Sequence, residues 1–350
     1  MRILMVANTP PNSGGVSFHI DRLASNHRAA GHSVDVLWES SLINRAPGAL
    51  RGYLFGAYAT LVSVRGRYSV IHSHGADGFL IKVFLPSRRN VMTSHGDERA
   101  VPSMEGDRKS RKWTETLFRT SKMLRRARFR MALQGADVII ALHREEAEAF
   151  RRELPSSKVI VVIPNGVDPP NLIPKPEVGN VLFLGNWIQR KGADLVPEIF
   201  RLLHVSNNRS HIDLVGPPKE TIEEFESSLR PYVSAAGWCS QQDVEAHLSR
   251  ADCLLLPSRV EGMPIAVLQA MSYGVPFVSS DLPGVRACAQ GCGIFVSEAT
   301  PSSFADSLLR VMSDRNLRES LSQNCRAAVK NFSWSSVSES VRQQYRLDFT

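Results

Sequence analysis

The residues with the most chemical content lie in the stretch 254–284, LLLPSRVEGMPIAVLQAMSYGVPFVSSDLPG. Its pattern is strand, loop, helix, turn and strand in quick order. Glu261 stands at the loop-to-helix junction with Gly262 beside it, so a carboxylate and open backbone amides can meet one ligand. The competing role for Glu261 is that of a helix-capping acid. Upstream, 181–192 reads VLFLGNWIQRKG, with a strand ending at Gly185 and Arg190–Lys191 at what reads as the start of a helix. Cations there suit a leaving diphosphate, or else form a solvated basic turn. The stretch 8–16, NTPPNSGGV, follows the first strand, and Gly14 and Gly15 can expose N–H groups to a diphosphate where a helix begins. It is not GxGxxG, and a Gly-Gly turn in isolation is usually just a turn. His95, in VMTSHGDE, sits just past a strand end, where an imidazole can donate to a sugar hydroxyl or a diphosphate oxygen, shuttle a proton, or simply bond within its loop. His72 and His74, in IHSHG, have the spacing of a metal pair, but no third ligand of suitable spacing follows. They are assigned to structure or cleft lining, and no metal site is expected.

These residues need elements to hold them. Short apolar runs at 3–7, 34–38, 70–72, 91–93, 138–141 and 159–163 read as buried strands, and a second series follows at 181–184, 212–215, 253–256 and 276–278. Near-continuous apolar runs suit parallel strands covered on both faces. Amphipathic stretches such as 16–29 and 144–152 alternate with them, which predicts doubly wound α/β sheets. The segment IPNGVDPPNLIPKP at 163–176 carries five prolines and an Asn-Gly turn, and neither a helix nor a central strand survives that. It divides the chain into two α/β domains of similar size. Ligands of such sheets bind beyond the carboxyl ends of the strands, so the cleft between the domains is the expected site. A final helix is predicted over 334–345 after Ser333.

A chain of 350 residues with 43% hydrophobic and 22% charged residues is an ordinary globular protein, which excludes collagen-like, disordered and small disulfide-framework classes. The net charge of +8 is unevenly placed. The first 175 residues hold 26 basic and 15 acidic residues, the remainder 16 and 19. An anionic partner should therefore face the N-terminal half. Five cysteines, odd in number and without CxxC spacing, suit a reducing compartment and argue against a metal. The N-terminal apolar run ends by Ala7, too short for a signal peptide, and 52–64 falls short of the ~20 residues of a membrane span. A cytoplasmic, non-spanning protein is expected.

Ten basic residues lie between Arg108 and Arg130, opposed within that span only by Glu115. Drawn as a helix from Thr116, the sequence places Leu117, Leu124, Ala127 and Met131 on one face and Arg119, Lys122, Arg126 and Arg130 opposite. Phe118 and Phe129 flank the basic arc, and Arg128 interrupts the apolar stripe. Such a helix suits docking on an anionic leaflet, or is a solvated surface helix with its phenylalanines turned inward. No nucleic-acid reader motif accompanies the charge, and nucleic acid is not an expected partner.

Taken in order, the Gly-Gly loop, IHSH, TSHG, IPNGVD, LFLG…KG, PS…EGMP…QAM…G.P.V and the FSW at 332–334 resemble the retaining GT-B glycosyltransferases of the family 4-like group, along nearly the whole chain. The resemblance implies a GT-B fold. Residues 1–170 would form an acceptor-binding Rossmann-like domain and 171–332 a nucleotide-sugar-binding one, with 333–350 crossing back as a helix. It implies a hexosyltransferase that retains anomeric configuration, needs neither metal nor cofactor, and takes a UDP-, GDP- or ADP-sugar as substrate. The acceptor would be a glycan or a lipid-linked molecule in cell-surface polysaccharide or glycolipid synthesis, met on the inner face of the membrane. A soluble small-molecule acceptor and an inactive donor-binding scaffold are the alternatives, and a nucleotide-sugar epimerase on the same fold lacks the extra acid and histidine it would need.

The family's diphosphate-binding lysine falls on Lys191, its first acid on Glu261 and its TxHG histidine on His95. Gly14 and Gly15 would close over the diphosphate. Asn186, Arg190, Gly262, Met263, Pro264, Ile265 and Gln269 fall on the donor side, and Arg119, Lys122, Arg126 and Arg130 on the membrane or acceptor side. Three positions depart from the pattern. The second acid is Gln269, whose amide can still bond ribose hydroxyls without charge assistance. The usual arginine is Asn186, with Arg190 as a substitute cation. Ala287 stands near the place of a further acid.

Overall fold

The structure is a computed structural model that describes residues 1–11, 14–38, 48–96 and 113–346, without the side chains of 48–50 and 113–122. Its strands are β1 Arg2–Ala7, β2 Ser33–Trp38, β3 Val70–His74, β4 Arg89–Thr93, β5 Val138–Ala141, β6 Val159–Val162, β7 Asn180–Leu184, β8 His211–Val215, β9 Val233–Gly237, β10 Cys253–Leu256, β11 Phe277–Ser280 and β12 Gly293–Val296. The helices are α1 Gly15–Ala29, α2 Gly48–Arg65, α3 Ile81–Phe84, α4 Trp113–Gly135, α5 Arg144–Glu153, α6 Val196–Ser206, α7 Gln241–Arg250, α8 Ile265–Ser272, α9 Pro283–Ala289, α10 Pro301–Ser313, α11 Arg315–Ala328 and α12 Trp334–Tyr345. Two six-stranded sheets form, in the orders β2-β1-β3-β4-β5-β6 and β12-β11-β10-β7-β8-β9, and every pairing within them is parallel. Helices connect most successive strands within each sheet, the right condition for apolar runs buried on both faces.

The sequence pattern passed over β9 and β12. Both are edge strands of the second sheet, paired on one side only and mostly half-exposed, so neither needs a continuous apolar run. Some helix starts are set by side chains that accept from free amides. Ser240 and Asp243 form a capping box on α7, and Thr300 and Asp314 cap α10 and α11.

The chain divides into two compact units, 1–165 together with 334–350, and 166–333. In the first, α12 supplies Trp334, Val337, Val341 and Tyr345 to a core shared with Ile3 and Met5 of β1 and Ile20 and Leu23 of α1. In the second, Val181 and Phe183 of β7 pack with Leu214 of β8, Leu255 of β10 and Phe200 of α6. No described helix is long and apolar enough to cross a membrane.

The basic helix differs from its drawn face. In α4, Arg128, Phe129, Ala132 and Leu133 are buried, while Met123, Leu124, Ala127 and Met131 are exposed. The inward stripe is therefore rotated onto the arginine that seemed to interrupt it. Arg128 turns in because Asp77 waits for it, with Nη1 3.8 Å from Oδ1, and because Gly52 of α2 leaves the space. A Cβ on Gly52 would lie 1.6 Å from that nitrogen. Phe129 is part of the core and does not flank a docking arc. Arg126 and Arg130 are exposed, whereas the side chains of Arg119 and Lys122, with that of Phe118, lie outside the described residues.

Candidate active site

In the second unit the chemistry gathers at the carboxyl ends of β7 and β10. After β7, Gly185 takes φ 153° and leaves room for the Lys191 stem, whose Cε lies 3.9 Å from where a Cβ would stand. The segment expected to open a helix forms two short 3-10 turns instead, Gln189–Lys191 and Ala193–Leu195, hinged at Gly192 with φ 73°. A side chain at Gly192 would strike the Pro257 carbonyl oxygen at 2.1 Å, so only glycine lets this turn lie against the loop after β10.

That loop brings Glu261 to Lys191 across 70 positions of sequence. Lys191 Nζ lies 2.6 Å from Glu261 Oε1, and the Ser258 hydroxyl donates to the same oxygen at 2.6 Å. Both charged side chains are largely shielded, 17% and 6% exposed, which strengthens their attraction over that of a surface pair. Arg259 clamps the two loops together, donating to Asp194 at 2.6 and 2.8 Å and bonding its N–H to the Arg190 carbonyl at 2.9 Å. Glu261 is thus no helix cap. Pro264 occupies the N-cap of α8 without a side-chain cap bond, leaving Gly262, Met263 and Pro264 buried as the lead into Ile265. Gly284 closes the other side, where a Cβ would fall 1.6 Å from the Gly262 carbonyl oxygen.

The remaining residues expected on the donor side are placed differently. Arg190 points its Nη1 at the Val260 carbonyl, 3.4 Å away, and Asn186 is exposed. Gln269, one turn into α8, donates to Gln241 at 3.4 Å in a polar cluster that continues through Glu245 to Asn171. The structure therefore pairs Lys191 with Glu261 and leaves Gln269 in a separate set of contacts.

In the first unit the polar groups collect at the ends of β1, β3 and β4. A cavity of about 220 Å³ there is lined by Asn8, His74, Gly75, Asp77, His95 and Arg128, among others. Asp77 ties two strand ends together by accepting the Asn8 N–H at 2.7 Å. Ser94, next to His95, donates to Glu146 at 2.7 Å, and that carboxylate also accepts the Leu142 N–H at 2.8 Å. His95 is consequently fixed from β5 and α5 as well as from its own strand. Gly14 precedes α1 with φ 138°, and its carbonyl accepts from Phe18 N–H and the Ser17 hydroxyl.

Four histidines stack through this region. The rings of His72 and His74 lie 4.4 Å apart, those of His74 and His95 5.2 Å, and His74 Nδ1 is 2.9 Å from His95 Nε2. His19, from α1, meets both His74 and His95 edge-on. Burial pushes all four imidazoles below their ordinary range, His19 to about 4, so they are neutral hydrogen-bonding groups at pH 7. A third histidine near His74 and His95 was not foreseeable from spacing, because it comes from another element. The ligand atoms of His19, His74 and His95 lie within 4.8 Å of one another. Bonds of ~2.0–2.1 Å to an ion would require the rings to close in, and the His74–His95 contact already engages two of the nitrogens.

Two family models cover most of the chain, one described as Glycosyltransferase Family 4 over residues 13–170 and one as Glycosyl transferases group 1 over 179–314. The chain belongs to the GT-B glycosyltransferases of the family 4-like group. Among similar proteins of this family, an uncharacterised glycosyltransferase from Methanocaldococcus jannaschii is 22% identical over 99% of this chain and 98% of its own. The UDP-Gal:alpha-D-GlcNAc-diphosphoundecaprenol alpha-1,3-galactosyltransferase of Escherichia coli is 27% identical over 55% of each. Among solved structures, the sucrose-phosphate synthase of Thermosynechococcus elongatus shares the fold with a TM-score of 0.79 at 18% identity, over 99% of this chain and 98% of that one. The glycosyltransferase fold and activity thus rest on both halves of the chain. Asp77, Glu146 and Tyr345 carry no local signal in the sequence, whereas Ser258, three residues before Glu261, and Thr93, two before His95, stand inside the PS…EGMP and TSHG motifs.

Proposed function

We propose that this glycosyltransferase moves a hexose from a nucleotide diphospho-sugar, whether UDP-, GDP- or ADP-linked, to a glycan or lipid-linked acceptor with retention of anomeric configuration. The shielded Lys191–Glu261 pair carries the proposal. A lysine already held at the end of β7 can meet the charge that develops on a departing diphosphate without reorganising, and the amides leading into α8 add to it. Glu261 holds that lysine in place and offers its carboxylate to hydroxyls of the donor sugar. His95, kept neutral, would hydrogen-bond the transferred sugar. Charge neutralisation by these groups requires no divalent cation at the diphosphate. Attack from the same face, assisted by the leaving phosphate, accounts for retention, and a trapped covalent glycosyl-enzyme adduct would refute that step.

The acceptor is proposed to be membrane-linked. The Escherichia coli relative is named for a diphosphoundecaprenol acceptor. On this chain, exposed Arg125, Arg126 and Arg130 stand beside exposed Met123, Leu124 and Met131 on α4. Tyr53 of α2 donates to the Leu124 carbonyl at 2.8 Å, and α2 adds exposed Leu54, Tyr58 and Leu61. Apolar side chains among arginines suit shallow insertion into an anionic leaflet. The test of the chemistry is nucleotide release across UDP-, GDP- and ADP-sugars. At least one donor should be turned over, and Lys191→Ala and Glu261→Ala should each abolish turnover. Unchanged rates in both variants would sink the assignment.

A further inference from the structure

A chain of hydrogen bonds in the first unit joins α12 to the histidine stack. Arg342 Nη1 lies 3.5 Å from His27 Nδ1, and His27 Nε2 lies 3.2 Å from the Tyr345 hydroxyl. That hydroxyl is 2.6 Å from His72 Nδ1, and His72 Nε2 is 2.7 Å from the Thr93 hydroxyl. The direction of the chain follows from its first member. A guanidinium can only donate, so His27 Nδ1 must accept and His27 Nε2 must carry the proton. His27 then donates to the Tyr345 oxygen, Tyr345 donates to His72 Nδ1, and His72 carries its proton on Nε2 and donates to the Thr93 hydroxyl oxygen. In the opposite direction two donors would face each other at Arg342 and His27.

The placement gives this chain a consequence. His72 and Thr93, on the neighbouring strands β3 and β4, each lie two residues before a cavity-lining histidine, His74 at the end of β3 and His95 just beyond β4. The fixed ring of His72 is the plate on which His74 stacks, and His74 in turn stacks on and bonds His95. Tyr345 and His72 are both buried, so no water substitutes for the phenol.

We propose that Tyr345 is a positioning residue for His95. From the end of the chain it sets the tautomer and plane of His72, and through His74 the orientation in which His95 meets the transferred sugar. This rests on the role given to His95 above. A misplacement of the order of 1 Å at a reacting group can cost about a hundredfold in rate, so Tyr345→Phe should lower kcat by roughly ten- to a hundredfold. The donor KM should change less than kcat, because the groups proposed to hold the diphosphate, Lys191 and Glu261, lie in the second unit and are untouched.

The decisive measurement is a kinetic cycle of Y345F, H95N and the double variant, with the imidazole ¹⁵N spectrum of Y345F. The expected result is that Y345F costs little further rate in the H95N background, and that the His72 Nε2–H signal of the wild type is lost or exchanges with the other tautomer. Losses that multiply, as from general destabilisation, or an unaltered His72 signal would overturn the proposal. Wild-type turnover in H95N would overturn both the role of His95 and the route through it, with the His72 spectrum still reporting on the chain of bonds. If Y345F melts too low to assay, Thr93→Val breaks the chain at its far end and enters the same cycle.

Discussion

Replacing Lys191 by methionine separates what the Lys191–Glu261 pair does for folding from what it does for transfer. At 2.6 Å and an effective dielectric of ~20, two unit charges attract by about 6 kcal/mol, most of which is offset by taking both out of water. Methionine keeps the stem volume beside Gly185 but leaves Glu261, 6% exposed, with Ser258 as the remaining partner at that oxygen. Breaking one side of such a pair typically costs 3–5 kcal/mol. For a unit of this size about 2–4 °C of Tm is lost per kcal/mol, so its transition should fall by roughly 10 °C. Glu261→Gln in the same chain removes the stranded charge, and K191M/E261Q should regain most of that loss. Transfer should not return if Lys191 is the cation that meets the diphosphate as proposed, since one missing electrostatic partner of this kind costs about a hundred- to a thousandfold. Calorimetry that resolves the two units, run beside nucleotide release, checks both halves. A double variant that recovers turnover together with stability would refute the reasoning.

Gly284→Ala should destabilise the second unit and weaken donor binding, because the new methyl meets the Gly262 carbonyl at 1.6 Å and pushes the loop holding Glu261; melting and nucleotide-binding calorimetry test it, and a wild-type Kd would count against it. The first unit should lose stability on acidification. Burial holds His19 at about 4 and His27 at about 3, so the unfolded chain binds protons below its own pKa of ~6.5 that the folded one refuses. The loss begins below pH ~6.5 and grows toward pH 4, by about 3 kcal/mol from His19 alone, and denaturant midpoints flat from pH 7.5 to 4.5 would contradict it. Co-sedimentation with anionic vesicles should fall when Met123 and Leu124 are replaced by Glu or when salt is raised, and retention indifferent to both would end the docking proposal. Transfer in the presence of EDTA should match that in its absence, as measured by nucleotide release.

What could be seen in the sequence follows from how each feature is encoded. Interior strands such as β1, β7 and β10 announce themselves because both faces are covered and their central positions are apolar. Lys191 and Glu261 were visible as types of residue at strand ends, but their contact was not, since nothing local ties position 191 to 261. The two glycines that allow the contact, Gly192 and Gly284, meet carbonyls on other segments. The histidine stack was hidden for the same reason. His72, His74 and His95 were legible at β3 and β4, while His19 and Tyr345 arrive from helices that only the folded unit brings alongside.

The rotated face of α4 shows how a single buried charge can reset a helix. Periodicity assigned Arg128 to an error in an apolar stripe, which assumes that an arginine cannot be the anchor of the inward face. The assumption fails when a carboxylate is already buried nearby. Asp77 is held by the Asn8 amide and lines the cavity, and an unpaired carboxylate there would cost more than bringing a guanidinium in. Pairing Asp77 with Arg128 turns Phe129 and Leu133 inward and Leu124 and Met131 outward. Exposed apolar side chains beside Arg126 and Arg130 are therefore a consequence of how the cavity is neutralised. The same residue that completes the cavity exposes the surface proposed to meet the membrane.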